Sequence, residues 1–268
     1  MSWLHIVILA IIQGLTEFLP VSSSAHLILP AQIFGWEDQG PMIDVMAHFG
    51  SLFAVMLYFR RDIARTFRGF FDLVRRRLNT DSCLALNLVL TTPPALLFGA
   101  FLSYGGYDTA IRLPVIFALT SIIFGILLWW ADVTFARHKT TDDLTWRGAV
   151  LLGLSQAVAL IPGTSRSGIT MMTARMMSMG RAEAARFSML MSLPVIGAGG
   201  IFALYRLSQA GPGVTGSPGI GLTVAVLSFV AAYVSISLFM TWVSRIGMFP
   251  FMVYRIAFGI GLLLWIGL

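Results

Sequence analysis

The sequence predicts an all-α polytopic membrane protein, with six transmembrane helices plus two re-entrant broken-helix hairpins in an inverted repeat. Three observations predict it. Of 268 residues, 57% are hydrophobic and only 11% charged, with a mean hydropathy of +0.83, so there are too few charges to cover a soluble domain of this size. Apolar windows of about 20 residues, the length that spans a bilayer, recur along the chain. Two further apolar regions are each broken midway by proline and clustered hydroxyls. The whole chain, 1–268, is taken as a single integral membrane domain.

In chain order, the region of roughly 3–34 comes first, interrupted by Pro20 and the serines that follow it. Its opening residues, Met1 to Ala10, lack a basic stretch and a small-residue cleavage site, so no removable signal peptide is expected. Spans follow at roughly 41–59, 83–104 and 113–133. A second broken region, roughly 147–180, contains Pro162 to Gly168, and spans at roughly 184–206, 220–243 and 249–268 complete the chain. Irregular backbone at membrane depth persists only where protein or a water-filled cavity surrounds it, so both broken regions are expected to be hairpins returning to their own side.

Charge orients these elements. Arg60, Arg61, Arg65, Arg68, Arg75, Arg76 and Arg77 follow the first span, and the positive-inside rule places residues 60–80 in the cytoplasm. Two spans later Arg137, Lys139 and Arg147 lie on the same side. If the second broken region is a hairpin, Arg175, Arg181 and Arg186 join them, and the uncharged loop at 211–219 is outside. The N- and C-termini are then outside, with the first hairpin entering from the outer face and the second from the inner. Opposite entry is what an inverted repeat produces. Shifting the chain by 142 residues lays Leu19-Pro20 on Ile161-Pro162 and Ser23 on Ser165, giving repeats of roughly 1–133 and 147–268, an arrangement frequent among transporters. The net charge of +6 therefore reports orientation and affinity for membrane lipids rather than for nucleic acid. From Arg60 to Arg77, arginines alternate with Ile63, Phe67, Phe70, Phe71, Leu73 and Val74, as expected of an amphipathic helix on anionic lipid. The single cysteine, Cys83, excludes an internal disulfide and a cysteine-rich metal site, and is expected to be a small core residue.

Polar groups inside apolar segments are the candidate site. Gln13 and Glu17 stand four apart and share a helix face. Pro20 is expected to end that helix near Leu19, and Ser22, Ser23 and Ser24, good N-cap residues, to start a helical piece carrying His26. Glu17 could hold a divalent cation, act as general base, or both. Ser23 could be nucleophile or phosphate donor; His26 could be base, acid, nucleophile or a hydrogen-bonded structural group. The second break, Gly163, Thr164, Ser165, Arg166, Ser167 and Gly168, combines flexible backbone, hydroxyls and a guanidinium at a helix start, the donors that a phosphate needs. The plainer role for Arg166 is to pair with a buried carboxylate and lock the hairpins together. Asp44 and His48, also four apart, are either support for the site or a simple helix pair. Arg255 is expected to snorkel to the inner surface. The methionines near 171–179 and 189–191 suit adaptable packing or a greasy substrate groove. The sequence holds no His-Glu-x-x-His zinc motif, Gly-x-Ser-x-Gly elbow or Walker-type loop.

Gln13 through His26, with Leu-Pro-Val-Ser-Ser at its centre, and Pro162 through Gly168, reading Pro-Gly-Thr-Ser-Arg-Ser-Gly, resemble the two motifs of the undecaprenyl-diphosphatase family, the integral membrane bacitracin-resistance phosphatases of bacteria. Flanking matches at Asp44 through Gly50 and Pro250 through Arg255 extend the resemblance over the chain. It implies hydrolysis of undecaprenyl diphosphate to undecaprenyl phosphate and inorganic phosphate in the bacterial plasma membrane, recycling the lipid carrier for peptidoglycan synthesis, with a divalent cation, Mg²⁺ or Ca²⁺. By motif position it implies roles for Glu17, Ser23, His26 and Arg166, supported by Gln13, Ser165 and Thr170. Two departures stand out. Gln13 replaces a Glu common in the family, which leaves the acidic role to Glu17 alone, and Ser24-Ala25 stands where Thr-Gly is frequent. The expected mechanism holds the terminal phosphate between the two half-helix starts, on Arg166, backbone N–H groups and a cation at Glu17, while Ser23 or His26 attacks or activates the attack. A transporter or flippase of polyprenyl phosphate is the rival class, and a lipid-binding scaffold without turnover the plainest. The oligomeric state stays open, with a homodimer compatible.

Overall fold

A computed structural model describes residues 3–27, 35, 40–105, 113–209 and 218–268. Residues 28–34 of the first expected hairpin and 211–217 of the uncharged loop lie outside the described residues. Within them the regular elements are helical: α1 (Trp3–Thr16), α2 (Pro41–Tyr58), α3 (Arg60–Val74), α4 (Thr80–Tyr104), α5 (Pro114–Thr134), α6 (Trp146–Val158), α7 (Arg166–Met176), α8 (Arg181–Gln209), α9 (Pro218–Ile246) and α10 (Phe249–Trp265), with a short helical piece at 23–27 and a 3₁₀ turn at Thr141–Asp143. Five of them, α2, α4, α5, α8 and α9, contain stretches long and apolar enough to cross a membrane. The window at 249–268 forms the shorter α10, apolar over 17 residues. The chain is an all-helical, multi-pass membrane protein. Its exposed apolar side chains, such as Leu97, Ile201 and Leu264, are what lipid contact requires.

Both broken regions interrupt a helix, by different local means. α1 ends at Thr16, three residues before the expected Leu19. The Glu17 amide still reaches the Gln13 carbonyl at 3.0 Å, but Pro20 disfavours helical backbone before it, and 17–21 unwinds into turns. A helical piece then starts at Ser23, preceded by Ser22 with φ 71. In the second region α6 ends at Val158 and α7 starts at Arg166, after Ser165 with φ 67. The Ser165 hydroxyl accepts the Gly168 N–H at 3.2 Å and caps α7. The two restarts therefore equate Ser22, not Ser23, with Ser165, one residue away from the offset read in the sequence.

Close packing sets these pieces in place. α1 lies on α9, α6 on α4, α2 against both α9 and α8, and α5 against α10. Small residues make the approaches possible: a Cβ on Gly14 would stand 2.5 Å from the Ser228 carbonyl oxygen of α9, and one on Gly153 would stand 2.9 Å from that of Thr91 in α4. At the arginine-rich end, buried Asp132 of α5 accepts from Arg175 of α7 at 3.1 Å, from Arg181 of α8 at 2.6 Å and from the Met248 amide at 3.2 Å. Arg175 is fully buried and spends its other donors on the carbonyls of Asp132, Phe135, Ala136 and Met179. The buried methionines Met171, Met179, Met189 and Met191 belong to the main core, so they are packing. Cys83 departs from its expected place: it is exposed on the first turn of α4, because the Asn79–Ser82 capping box turns Ser82, not Cys83, inward.

Candidate active site

The two breaks meet, and Glu17 is where they meet. Its Oε1 accepts from Arg166 Nη2 at 2.7 Å, while Oε2 accepts from Ser23 Oγ at 2.8 Å and from Gln13 Nε2 at 2.9 Å. The Gln13 bond realises the predicted shared face of α1. The Arg166 bond joins residues 149 apart in the chain. Ser167 Oγ donates to the Leu19 carbonyl at 2.8 Å and fastens the second break to the first. Arg166 lies over the Phe18 ring at 5.8 Å, which shields one face of the guanidinium.

The ring that carries the fourth contact came from the weaker of the two sequence pairs. His48 Nε2 is 3.8 Å from Glu17 Oε2, and its Nδ1 lies 2.7 Å from the Asp44 carbonyl. A carbonyl only accepts, so Nδ1 carries the proton and Nε2 is the atom turned to the carboxylate. The i, i+4 spacing of Asp44 and His48 was the available signal, although it is the Asp44 backbone that does the orienting.

His26 is placed differently from Ser23. Its Nδ1 donates to the Ser22 carbonyl at 2.7 Å, leaving Nε2 to face the Tyr254 hydroxyl of α10, and the ring stacks on Phe258 at 4.9 Å. No hydrogen bond joins it to Glu17 or Ser23 among the described residues. Ser22 and Ser24 exchange a hydroxyl bond at 3.3 Å, as Ser165 and Ser167 do at 3.2 Å. Thr170 turns away from the site, to the Arg166 carbonyl at 2.8 Å and Ser188 at 2.7 Å.

Arg255 corrects its expected place. Its side chain is fully buried rather than snorkelling. It donates to the carbonyls of Ser121 (3.1 Å), Thr120 (3.3 Å), Gly163 (2.9 Å), Thr164 (2.9 Å) and Pro20 (3.4 Å). Chain breaks expose carbonyls that have lost their helical partners, and a guanidinium with five donors can serve several at once. The sequence singled out Arg255 and the segment from Pro250 to Arg255, but nothing in that apolar span signalled that Tyr254 and Arg255 reach the breaks. Gly163 completes the support: it holds φ +83, and a Cβ there would meet Thr120 Oγ1 at 2.2 Å.

Some polar atoms at the site are buried without a protein partner among the described residues: Arg166 Nη1, Gln13 Oε1 and Thr164 Oγ1. Such atoms are costly unless something polar completes them. A donor from Arg166 suits a phosphate oxygen, and the Gln13 and Glu17 oxygens are the hard ligands that Mg²⁺ or Ca²⁺ takes. No group of three or more His, Cys, Asp or Glu converges among the described residues, so any cation would draw on water or substrate for its other ligands.

The family model for the bacitracin resistance protein BacA matches residues 6–261. The chain belongs to the BacA family. Its relatives include a protein of Chromohalobacter salexigens named undecaprenyl-diphosphatase, 46% identical over 267 residues and covering 99% of this chain and 100% of the relative. One of the same name from Alteromonas mediterranea is 47% identical over 266 residues, 99% of this chain and 98% of the relative. In this BacA-family chain the site lies where α1, the second break and α2 converge, so the matched region includes every residue that surrounds Glu17.

Proposed function

We propose that the protein hydrolyses undecaprenyl diphosphate to undecaprenyl phosphate and inorganic phosphate, recycling the lipid carrier for cell-wall synthesis and conferring bacitracin resistance. One observation carries the chemistry: a single carboxylate accepts from both Ser23 and Arg166, while Arg166 Nη1 has no partner among the described residues. In this reading the terminal phosphate binds Arg166 Nη1 and the hydroxyls and amides of the restarts. Ser23 Oγ attacks phosphorus and passes its proton to Glu17 Oε2. The bond from phosphorus to the bridging oxygen breaks, and its electron pair leaves with undecaprenyl phosphate. Water entering where undecaprenyl phosphate left then attacks phosphorus in line with the Ser23 oxygen; the bond from phosphorus to Ser23 Oγ breaks, Oγ takes back the proton held on Glu17, and inorganic phosphate leaves with the protons of the water. Arg166 stabilises the charge on the transferring phosphoryl group, the main source of catalysis in such reactions. The choice of Ser23 over His26 rests on its bond to Glu17, since both His26 nitrogens are engaged elsewhere. A divalent cation, where present, would be held by Glu17 and Gln13 and would neutralise phosphate charge.

The finer architecture goes with this reading: two re-entrant hairpins, six spans and an inverted repeat with both termini outside in the bacterial inner membrane. Its support is the exchange of partners between halves, α1 on α9 and α6 on α4, together with the arginines gathered near one end. A flippase would need the site to open to both faces in turn. The relatives' name favours hydrolysis. The test is phosphate release from undecaprenyl diphosphate by protein purified in detergent, where no second compartment exists. Wild type should turn over, and Arg166→Ala and Glu17→Ala should not; folded variants with near-wild-type turnover would remove the site assignment.

A further inference from the structure

Away from the catalytic breaks, a cavity of about 660 Å³ opens between α2, α3, α4 and α8, with Met56, Phe67, Phe70, Val89 and Leu193 in its walls. Its volume falls within the roughly 300–1,000 Å³ of small-ligand sites, but its lining is almost wholly apolar, with threonine hydroxyls (Thr66 and Thr92) as the side-chain exceptions. Both hydroxyls are turned back, to the Asp62 and Leu88 carbonyls at 2.8 and 3.1 Å. A polar ligand would find nothing to bind in this interior.

The helix that forms one wall, α3, carries exposed cations. α3 packs on α4 through Gly69, where a Cβ would stand 1.9 Å from the Asp81 carbonyl oxygen, and through Arg65, which is paired with Asp81 at 2.8 Å. At about 100° per residue, that contact turns Ile63, Phe67 and Phe70 to the cavity. It leaves Phe71 and Val74 exposed beside them, with Arg60 on the same side as Phe67 and Phe71, and with Arg68 and Arg61 on the flank beyond Phe71. Arg60 and Arg61 are exposed and make no ion pair or hydrogen bond among the described residues, whereas Arg65 and Arg186 are matched to acids. This division of apolar and cationic faces is what a helix lying in an interface carries, apolar residues toward acyl chains and cations at headgroup level. An apolar cavity sits directly behind it.

We propose that this cavity is a binding site for an anionic phospholipid of the leaflet that the arginine-rich end faces, with an acyl chain between α2, α4 and α8 and the phosphate on Arg60 and Arg61. The complementarity has two parts: an apolar cavity lined from Leu52 to Met56 along α2, and exposed guanidinium groups, Arg60 and Arg61, at the start of the α3 that forms one of its walls. Bound lipid would fix α3 against α4 and fill a void that would otherwise forfeit packing. The site is separate from Glu17 and Arg166 and does not depend on the reaction proposed for them.

Native mass spectrometry of the detergent-purified protein tests it, with phosphatidylglycerol and phosphatidylcholine of identical chains as probes. Phosphatidylglycerol should be retained well above phosphatidylcholine. Arg60→Gln with Arg61→Gln should lower its retention roughly twenty-five- to thirtyfold, about fivefold per arginine removed near a charged surface. Val89→Trp and Met56→Trp, at partly exposed lining positions where folding should survive, should each displace it, while Arg75→Gln with Arg76→Gln should leave it unchanged. Equal retention of both lipids, or indifference to the tryptophan variants, would overturn the proposal. So would equal loss with the Arg75 and Arg76 pair, which would mean diffuse attraction, or competition by glycerol phosphate, which would mean an anion site without a chain. A shift from dimer to monomer in Val89→Trp would show that a second copy fills the cavity instead.

Discussion

Replacing Glu17 by Gln separates its two duties. The carboxylate balances Arg166, whose side chain is 16% exposed against 7% for Glu17, and it accepts from Ser23. Gln keeps the volume and one acceptor but loses the charge, leaving a largely buried guanidinium uncompensated. Breaking a fully buried pair costs about 3–5 kcal/mol, and the residual exposure of Arg166 puts this case near 3. Loss of a general base lowers turnover by about 100-fold or more. A second change distinguishes the two effects. In Glu17→Gln with Arg166→Met no charge is left unpaired and the methionine can lie on Phe18, so most of the stability should return while turnover stays at its floor. The assay pairs the thermal unfolding midpoint in detergent with phosphate release from undecaprenyl diphosphate. The reasoning fails if the double variant is no more stable than Glu17→Gln, or if Glu17→Gln alone keeps turnover within tenfold of wild type.

Asp132→Asn should cost about 3–5 kcal/mol by stranding fully buried Arg175 and partly buried Arg181, seen as a lower unfolding midpoint, with phosphate release per folded molecule unchanged because the cluster does not touch Glu17. Arg255→Lys replaces a guanidinium that serves five carbonyls with a point donor. At about 1–3 kcal/mol for each buried group left unsatisfied, both stability and turnover should fall, and circular dichroism with phosphate release would show whether they fall together. Exposed Cys83 reports sidedness: a membrane-impermeant maleimide should label it in inside-out vesicles and spare it in right-side-out ones, and the reverse pattern would invert the topology.

Much of this was legible in local pattern. The Gln13–Glu17 face and the break at Pro20 follow from spacing and backbone chemistry, and the Ser165 cap shows its hydroxyl signature in the sequence. The errors share one cause. Arg255 was expected at the surface, and Cys83 in the core, because burial depends on which neighbours a helix receives. The carbonyls that hold Arg255 inside come from Pro20, Thr120, Ser121, Gly163 and Thr164, none of them near it in the chain. The places of His48 and His26 have the same cause. Spacing alone puts His26 beside Ser23, but docking against α10 turns its ring to Tyr254 and Phe258, while α2 carries His48 to Glu17.

The sequence by itself determined that the chain lives in a membrane, that two of its apolar segments break, and that those breaks hold an acid, hydroxyls and a guanidinium. Composition and short-range spacing are enough for that, since they state what each segment costs to bury and where a helix cannot continue. Only the tertiary structure decided that Glu17 and Arg166 form one centre, that Ser23 rather than His26 reaches the carboxylate, and that Arg255 fastens both breaks together. Those are contacts between distant segments, fixed by how closely small residues such as Gly14 and Gly153 let the helices approach.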